Sequence, residues 1–529
     1  MSFDIITIAI LCGFALLFIL FVPQKARSWV LFGGSVLAIY WYQTATPVRF
    51  GDYLLQTTTI ALTVMVWWLT RDHTDETQHA FWKEDRLSLL LIFGLILFVA
   101  LNRYLGFETR WISYRPPSVF AVTIGLLLVT AVFYVLSRWL NKFEQREVLT
   151  VGIVFIVIIF VILKSPHLTT AVSAFWRSLT GQQVNLASPS DLVWIGFSYV
   201  AFRLISTLRD KQTGQLPIMS LREFVTYTLF FPAYIAGPID RAERFVPDLH
   251  ESGNVKSLWQ VAWDRWQART INREQETENS KPSTTNEKNH ASRITHHDFH
   301  PSSFIFHPFY RILIGMFKKF VIADSLALGM SLTAVNVQQA NSTIGVWVLL
   351  YGYALRLFFD FSGYTDIAIG IGMLLGITLP ENFKRPYLKT NITTFWQSWH
   401  ITLSNWVRFY VFSPLSRSLL RRKPRPSTDL ILFISHMTTM IIIGLWHGIT
   451  INFFIWGLWH GLALFIHKMW SDRTRKWYRG LKDKPWQLRT WTAVTWFLTF
   501  NYVALGWVWF MMPTVQLSLL TFGKLLGWG

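Results

Sequence analysis

The stretch GLWHGITINFFIWGLWHG, at residues 444–461, places two histidines in one apolar run. On a single helix, His447 and His460 would lie about 20 Å apart on nearly opposite faces, because each residue adds about 1.5 Å of rise and about 100° of rotation. One helix therefore cannot bring both rings to one site. His460 and His467 share a face that leads toward a basic loop, where packing or snorkelling accounts for them.

His447 differs from His460 in its neighbours along the chain, since Gly448, Thr450 and Asn452 interrupt the apolar run directly after it. An ionisable side chain at membrane depth is costly and marks a functional site by default. Imidazole titrates near neutral pH, and its usual work is general acid or base catalysis. We therefore predict a catalytic role for His447, with a satisfied core histidine as the alternative.

A further histidine, His400, comes directly after Trp399 in the segment TTFWQSWHITLSNWV at residues 393–407. Trp396, Trp399 and Trp406 fall roughly on one helical stripe, which is the pattern of a packed face. A lone histidine inside such a stripe is usually a buried core group. The residue types alone therefore leave the role of His400 open.

Charged residues interrupt the apolar segment at residues 353–389, where Arg356 and Asp360 are four residues apart and Asp366 precedes a glycine series. Arg356 and Asp360 can pair on one face of a helix. Such a pair can simply hold two helices together, or it can form the polar lining of a cavity. Both interpretations stay open at this point.

The composition indicates a membrane protein, because 52% of the 529 residues are hydrophobic and the chain has 27 Trp and 43 Phe. The net charge of +19 comes from Lys and Arg in short runs between long apolar stretches, which is typical of loops facing an anionic leaflet and argues against a nucleic-acid partner. Cys12 is the only cysteine, so we expect no disulfide, no CxxC metal motif and no thiol nucleophile.

Apolar stretches long enough to cross a bilayer recur along the whole chain. We expect an all-α, polytopic membrane protein with about 11–13 membrane helices around a central chamber, some of them short or re-entrant. The first stretch has the features of a spanning helix, and the basic residues after it place the N-terminus outside. The expected spans lie near 4–22, 29–45, 53–70, 87–105, 118–137, 148–163, 303–322, 343–361, 362–378, 396–415, 428–446, 449–467 and 490–511.

The chain divides into regions of different character. Residues 1–186 are expected to form a wall of transmembrane helices, and residues 187–250 the first part of the core, with charge and proline at membrane depth. Residues 251–302 are polar and are expected to be a disordered insertion with an interfacial helix. Residues 303–511 should form the catalytic core and residues 512–529 a C-terminal tail.

Five segments, taken together, resemble the membrane-bound O-acyltransferase family, in particular its bacterial branch with the alginate O-acetyltransferase and teichoic-acid D-alanyl transferase membrane subunits. They occur in the order that the family has. The segments are FPAYIAGPIDRAERF, GMFKKFVIADSLA, DFSGYTDIAIGIGMLLGITLPENFKRPY, FWQSWHITLSNWVR and GLWHG.

The resemblance implies a rigid helical fold with a chamber in mid-bilayer, where a cytoplasmic acyl thioester meets a hydroxyl acceptor from outside. It implies that His447 is the catalytic residue and His400 a second important position. No metal and no bound cofactor are expected. The residues expected to line the chamber and contact substrate are Arg356, Asp360, Asp366, Asn452, Trp399, Ser404, Trp446, Asp240 and Arg241.

The same resemblance implies an O-acyltransferase in the bacterial cytoplasmic membrane that modifies a cell-envelope or extracellular polysaccharide, most simply by acetyl transfer. The donor is acetyl-CoA or an acyl-carrier protein, and an extracytoplasmic acyltransferase partner and membrane lipid are expected. This chain departs from the family pattern at Arg408-Phe409-Tyr410 and at Ser416-Arg417. The alternatives are D-alanyl transfer to teichoic acid and a transporter or flippase without acyl chemistry.

Overall fold

The computed structural model of this protein describes residues 4–71, 75–104, 116–140, 142–252, 301–481 and 483–528. Within these ranges the regular structure is helical and no strand occurs, which confirms the all-α prediction. The helices are α1 Ile5–Phe21, α2 Gln24–Tyr42, α3 Gly51–Thr70, α4 Asp75–Leu101, α5 Val119–Leu140, α6 Gln145–Lys164, α7 Pro166–Leu179, α8 Phe197–Gln212, α9 Leu221–Leu229, α10 Ala242–Ser252, α11 Pro301–Met316, α12 Asp324–Ala327, α13 Ala334–Gln339, α14 Thr343–Leu374, α15 Ile392–Trp396, α16 Ile401–Val407, α17 Ser413–Leu420, α18 Thr428–His447, α19 Ile451–Leu481, α20 Pro485–Met511 and α21 Val515–Leu525.

Six helices in the described part of the chain are long and apolar enough to cross a membrane: α3, α5, α6, α14, α18 and α20. Helices α5 and α6 are the most apolar of these and keep most of their side chains on the outside of the bundle. Exposed side chains such as Val132 and Val151 would be unfavourable in water and are at home against lipid. The chain is therefore a multi-pass membrane protein.

The structure corrects the two separate spans expected at 343–361 and 362–378, because α14 is one helix of 32 residues. Gly363 does not break it. A Cβ on Gly363 would lie 2.7 Å from the carbonyl oxygen of Gly315, so this glycine lets α14 approach α11 closely. The span expected at 396–415 is instead broken into α15, α16, a π-helical stretch Arg408–Phe412 and α17.

Helices α18 and α19 form a tight antiparallel hairpin that positions His447 at its turn. A Cβ on Gly444 would lie 2.2 Å from the carbonyl oxygen of Phe453, and one on Gly457 would lie 2.7 Å from that of Met440. Only glycine allows the two backbones to come this close. His447 is the last residue of α18, and the chain reverses over the next three residues.

Two regions of the division expected from sequence contact the core. Residues 512–529, expected as a tail, contain α21, and the Trp347 indole N–H donates to the carbonyl oxygen of Leu525 at 3.1 Å. The wall formed by residues 1–186 reaches the core, because the Ile449 N–H donates to the carbonyl oxygen of Lys164 at 2.9 Å. The insertion expected at 251–302 lies almost entirely outside the described residues.

Candidate active site

A cavity of about 770 Å³ lies where the broken helices meet the α18–α19 hairpin. Its walls come from the ends of α2 and α6, the loop before α8, the middle of α14, and α15, α16, α18, α19 and α20. Both candidate histidines, His400 and His447, line it. A volume of this size is within the range of small-molecule sites.

His447 lines this cavity and is surrounded by aromatic rings. Its ring centroid is 4.4 Å from that of Trp446, 4.7 Å from that of Phe510 and 5.6 Å from that of Trp456. Among the described residues, neither ring nitrogen of His447 has a hydrogen-bond partner, and the ring keeps partial exposure. The apolar rings therefore fix the orientation of His447 and leave its nitrogens available to a ligand.

His400 is held by its backbone and by one amide. It precedes α16 with φ of 43°, in the left-handed region, which a non-glycine residue adopts only when its surroundings enforce it. Its Nδ1 lies 3.3 Å from Oδ1 of Asn382. The same Oδ1 accepts from the Thr402 backbone N–H at 3.2 Å and from the Thr402 hydroxyl at 2.6 Å.

These contacts fix the tautomer of His400. A backbone N–H can only donate, so the atom that Asn382 presents to Thr402 must be its oxygen. His400 Nδ1 faces that oxygen and must carry the hydrogen, which leaves Nε2 with a free lone pair. His400 Nε2 is buried and has no partner among the described residues. His400 is therefore arranged to accept a hydrogen bond at Nε2.

His460 lies in the same hairpin but does not line the cavity. It is fully buried, and neither ring nitrogen has a partner among the described residues. Its ring packs against Trp456 at 4.8 Å and Trp396 at 5.3 Å between centroids, and these two tryptophans separate it from the cavity. The structure thus distinguishes the two histidines of the apolar run.

Asp360 lines the cavity, but its partner is not the one expected from helical spacing. Its carboxylate forms an ion pair with Lys319 from the π-helical stretch Phe317–Ala323, and Lys319 also lines the cavity. Arg356 instead donates to the hydroxyl of Ser331 at 3.1 Å and does not line the cavity. The expected Arg356–Asp360 pair is therefore wrong, because tertiary packing brings a closer cation to Asp360.

Asp366 faces α11 and not the cavity. It accepts from Arg311 at 2.9 Å and from Lys318 at 2.6 Å, and Arg311 also binds Glu381. This network joins α14 to α11 and to the segment before α15, as an ion pair that holds helices together would. Asp366 therefore has a structural position.

Among the other residues expected at the chamber, Trp399 and Trp446 line the cavity. Asn452 and Ser404 do not: the Asn452 amide donates to the Met512 carbonyl at 2.7 Å, and the Ser404 hydroxyl donates to the Trp399 carbonyl at 3.2 Å. Asn452 thus ties α19 to the end of α20. Both polar groups donate to backbone carbonyls, and neither residue lines the cavity.

Asp240 and Arg241 also lie away from this cavity. Asp240 is buried and pairs with Arg244. Arg241 contacts Asp210 at 3.4 Å and lines a second pocket, of about 700 Å³, together with Arg209, Tyr410 and Arg417. This pocket contains the segments in which the sequence departs from the family pattern.

The residues of the site that were not expected from the sequence include two lysines of the cavity, Lys164 and Lys319, and the amide that contacts His400, Asn382. Lys319 stood inside the motif FKKF, and Asn382 inside PENFKRPY, so both were visible in the segments that carry the resemblance. Lys164 ends a helix assigned to the wall, and nothing in its neighbourhood in sequence signals a cavity. Within the described ranges, no group of three or more His, Cys, Asp or Glu side chains could hold a metal ion.

The helical bundle around a buried, histidine-lined cavity is the arrangement expected of a membrane acyltransferase. The chain matches the model of MBOAT, the membrane-bound O-acyltransferase family, over residues 37–512. It belongs to that family, which confirms the resemblance seen in the five motifs.

Curated relatives with different named activities match this chain. It is 31% identical to the peptidoglycan O-acetyltransferase of Helicobacter pylori, over 60% of this chain and 51% of that protein. It is 31% identical to a probable alginate O-acetylase of Pseudomonas syringae pv. tomato (64% and 52% covered) and 27% identical to the teichoic acid D-alanyltransferase of Bacillus subtilis (63% and 72%). The matched region thus spans about half the length of the two O-acetylating relatives.

Proposed function

We propose that this protein is an O-acyltransferase that moves an acetyl group from a cytoplasmic thioester to hydroxyls of a cell-envelope or extracellular polysaccharide. The observation that carries the proposal is that His447 and His400 line one cavity, each with a ring nitrogen that no described residue occupies. Family membership and the named activities of the relatives support the reaction class.

In the proposed step, His447 takes the proton of the acceptor hydroxyl as that oxygen attacks the thioester carbonyl. The C–S bond then breaks, and the leaving thiolate takes the proton from the His447 imidazolium, so that a free thiol is released. His400 accepts a hydrogen bond at Nε2, so it suits an N–H or O–H group of the bound donor or acceptor and orients it. The aromatic lining keeps bulk water out, which favours transfer to an alcohol over hydrolysis.

The basic loops support one direction for the reaction. The run Arg421, Arg422, Lys423 and Arg425 precedes α18, and the positive-inside rule assigns it to the cytoplasm. His447, at the other end of α18, then faces the extracytoplasmic half. The second pocket, with Arg209, Arg241 and Arg417, lies toward the basic run and suits the phosphates of coenzyme A or of an acyl-carrier protein. The N-terminus is outside in this orientation, and the membrane is the bacterial cytoplasmic membrane.

Acetyl transfer is favoured over D-alanyl transfer by the charges of the cavity. A D-alanyl donor carries an ammonium group that needs an acidic or carbonyl partner. Among the described lining residues, Asp360 is the only carboxylate, and Lys319 already neutralises it. The relative from Bacillus subtilis keeps D-alanyl transfer as the second candidate.

The proposal is tested with purified protein in sealed vesicles, with labelled acetyl-CoA outside or inside and an oligosaccharide acceptor on the opposite face. The expected result is a labelled ester on the oligosaccharide, formed only when donor and acceptor are on the predicted sides. Movement of an intact substrate without ester formation would contradict the proposal and favour a transporter. An extracytoplasmic acyltransferase partner is added in a parallel reaction, to separate direct transfer from a relay.

A further inference from the structure

Lys164 is a cation of the cavity that the proposed mechanism does not use. It ends α6, its side chain lines the cavity that holds His447, and its ammonium lies 6.0 Å from the centroid of the Trp446 ring and 5.7 Å from that of Phe160. Within the described part of the chain, no carboxylate lies within ion-pair distance of Lys164 Nζ, and Nζ has no hydrogen-bond partner.

An ammonium without a partner at this depth is costly, and contact with two aromatic faces offsets only part of the cost. A lysine at a helix end can ordinarily reach the lipid headgroups, which is the usual explanation for such a residue. The Lys164 ammonium instead lies over the Trp446 ring in the cavity wall. Asp360, the acidic side chain of the cavity, forms its ion pair with Lys319 and not with Lys164.

The backbone of Lys164 is fixed relative to His447. Its carbonyl oxygen accepts from Ile449 N–H at 2.9 Å, two residues after His447 in the hairpin turn. Trp446, whose ring Lys164 faces, is the direct neighbour of His447. A ligand held by the ammonium would therefore sit one aromatic ring away from the imidazole.

We propose that Lys164 binds a carboxylate or phosphate group of the acyl acceptor and so selects acidic polysaccharides, while a hydroxyl of the same acceptor reaches His447. This inference rests on the proposed function for its orientation. Arg138 and Lys142 precede α6 and Arg146 lies in its first turn, so Lys164 at the far end faces the side from which the acceptor enters. The acyl donor enters from the cytoplasmic side, so an anionic group of the donor would approach from the end of α6 opposite to Lys164.

The test compares full-length wild-type protein with K164M and K164R, in nanodiscs, using acetyl-CoA as donor. The acceptors are an oligouronate, its uncharged methyl ester and an oligomer of glycerol phosphate. We expect K164M to lower kcat/KM for at least one acidic acceptor about 10- to 100-fold relative to the methyl ester, mainly through KM, as loss of a hydrogen bond to a charged group does. K164R should retain most of this selectivity, because it keeps the charge.

The matched control is K468M, which removes a lysine paired with Asp472 on the surface and should leave the selectivity unchanged. An equal loss with acidic and neutral acceptors, or a change confined to KM for acetyl-CoA, would overturn the inference. Binding of the same three acceptors to H447A and to H447A/K164M, by calorimetry, provides a readout that does not need turnover. If neither the wild type nor any variant transfers acetyl, but binding of the acidic acceptors still requires Lys164, the proposed function fails and the binding role of Lys164 stands. If the wild type transfers acetyl and K164M does so with unchanged selectivity, the proposed function stands and this inference fails.

Discussion

The two segments Trp446-His447-Gly448 and Trp459-His460-Gly461 have the same three residues and belong to one hairpin, yet their histidines have different surroundings. His447 ends α18 at the turn and reaches the cavity. His460 lies within α19, away from the turn, where it is fully buried and sealed behind tryptophans. A residue motif therefore does not define a site by itself; its position relative to the helix end does.

Removing the imidazole at the turn should reduce activity most. H447A should lower the rate of acetyl transfer by about 10²- to 10⁴-fold, the range of a general base, because no other described group replaces its nitrogen. The initial rate of labelled ester formation measures this, with thermal unfolding in detergent as the check that the fold is intact. Transfer at the wild-type rate would remove His447 from the mechanism.

The next effect concerns the amide that sets the tautomer of His400. N382A removes the oxygen that holds Nδ1–H, so the ring can rotate or change tautomer, and kcat should fall about 10- to 100-fold, as for a misplaced catalytic group. N382D keeps an acceptor oxygen and should retain most of the activity. Equal loss in both variants would mean that Asn382 acts only by packing.

A single methyl group added at Gly444 should force apart α18 and α19, the two helices of the hairpin that contains both histidines. G444A would place a Cβ 2.2 Å from the backbone oxygen of Phe453, so α18 and α19 must part, at a cost of about 1–3 kcal/mol. G480A, in the same helix α19 with open space around it, serves as the control and should be neutral or slightly stabilising. Thermal unfolding of the two variants in one detergent gives the comparison, and an unchanged midpoint for G444A would contradict the close approach.

The smallest effect on activity is expected at the sealed histidine. H460L replaces a ring with two unpartnered nitrogens by an apolar side chain of similar volume, so activity should stay within about twofold and stability should hold or rise by about 1 kcal/mol. Parallel kinetic and unfolding measurements check this. Loss of activity as large as that of H447A would show that the two segments share one function.

The helical membrane fold could be predicted from the sequence, because long apolar runs are local signals. The break after His447 set this residue apart from His460, and the structure places it at the hairpin turn and in the cavity. Its catalytic role stays a prediction. Prediction failed where partners are distant in the chain. Asp360 pairs with Lys319 and not with Arg356, since helical spacing offers only local options and packing decides among all of them. Lys164 reaches the cavity from a helix almost 300 residues before His447, and no local pattern carries that information.

His447 is reachable from the cavity while His460 is not, and chemical modification measures this difference in access directly. Diethylpyrocarbonate, a small reagent that acylates imidazole nitrogens, is applied to the folded protein, and the modified histidines are located by mass spectrometry. We expect His447 to be modified in step with loss of acetyl transfer, to be protected by an acyl thioester, and His460 to stay unmodified until the protein unfolds. Equal modification of both rings would contradict the difference in access, and full activity with His447 modified would contradict its catalytic role.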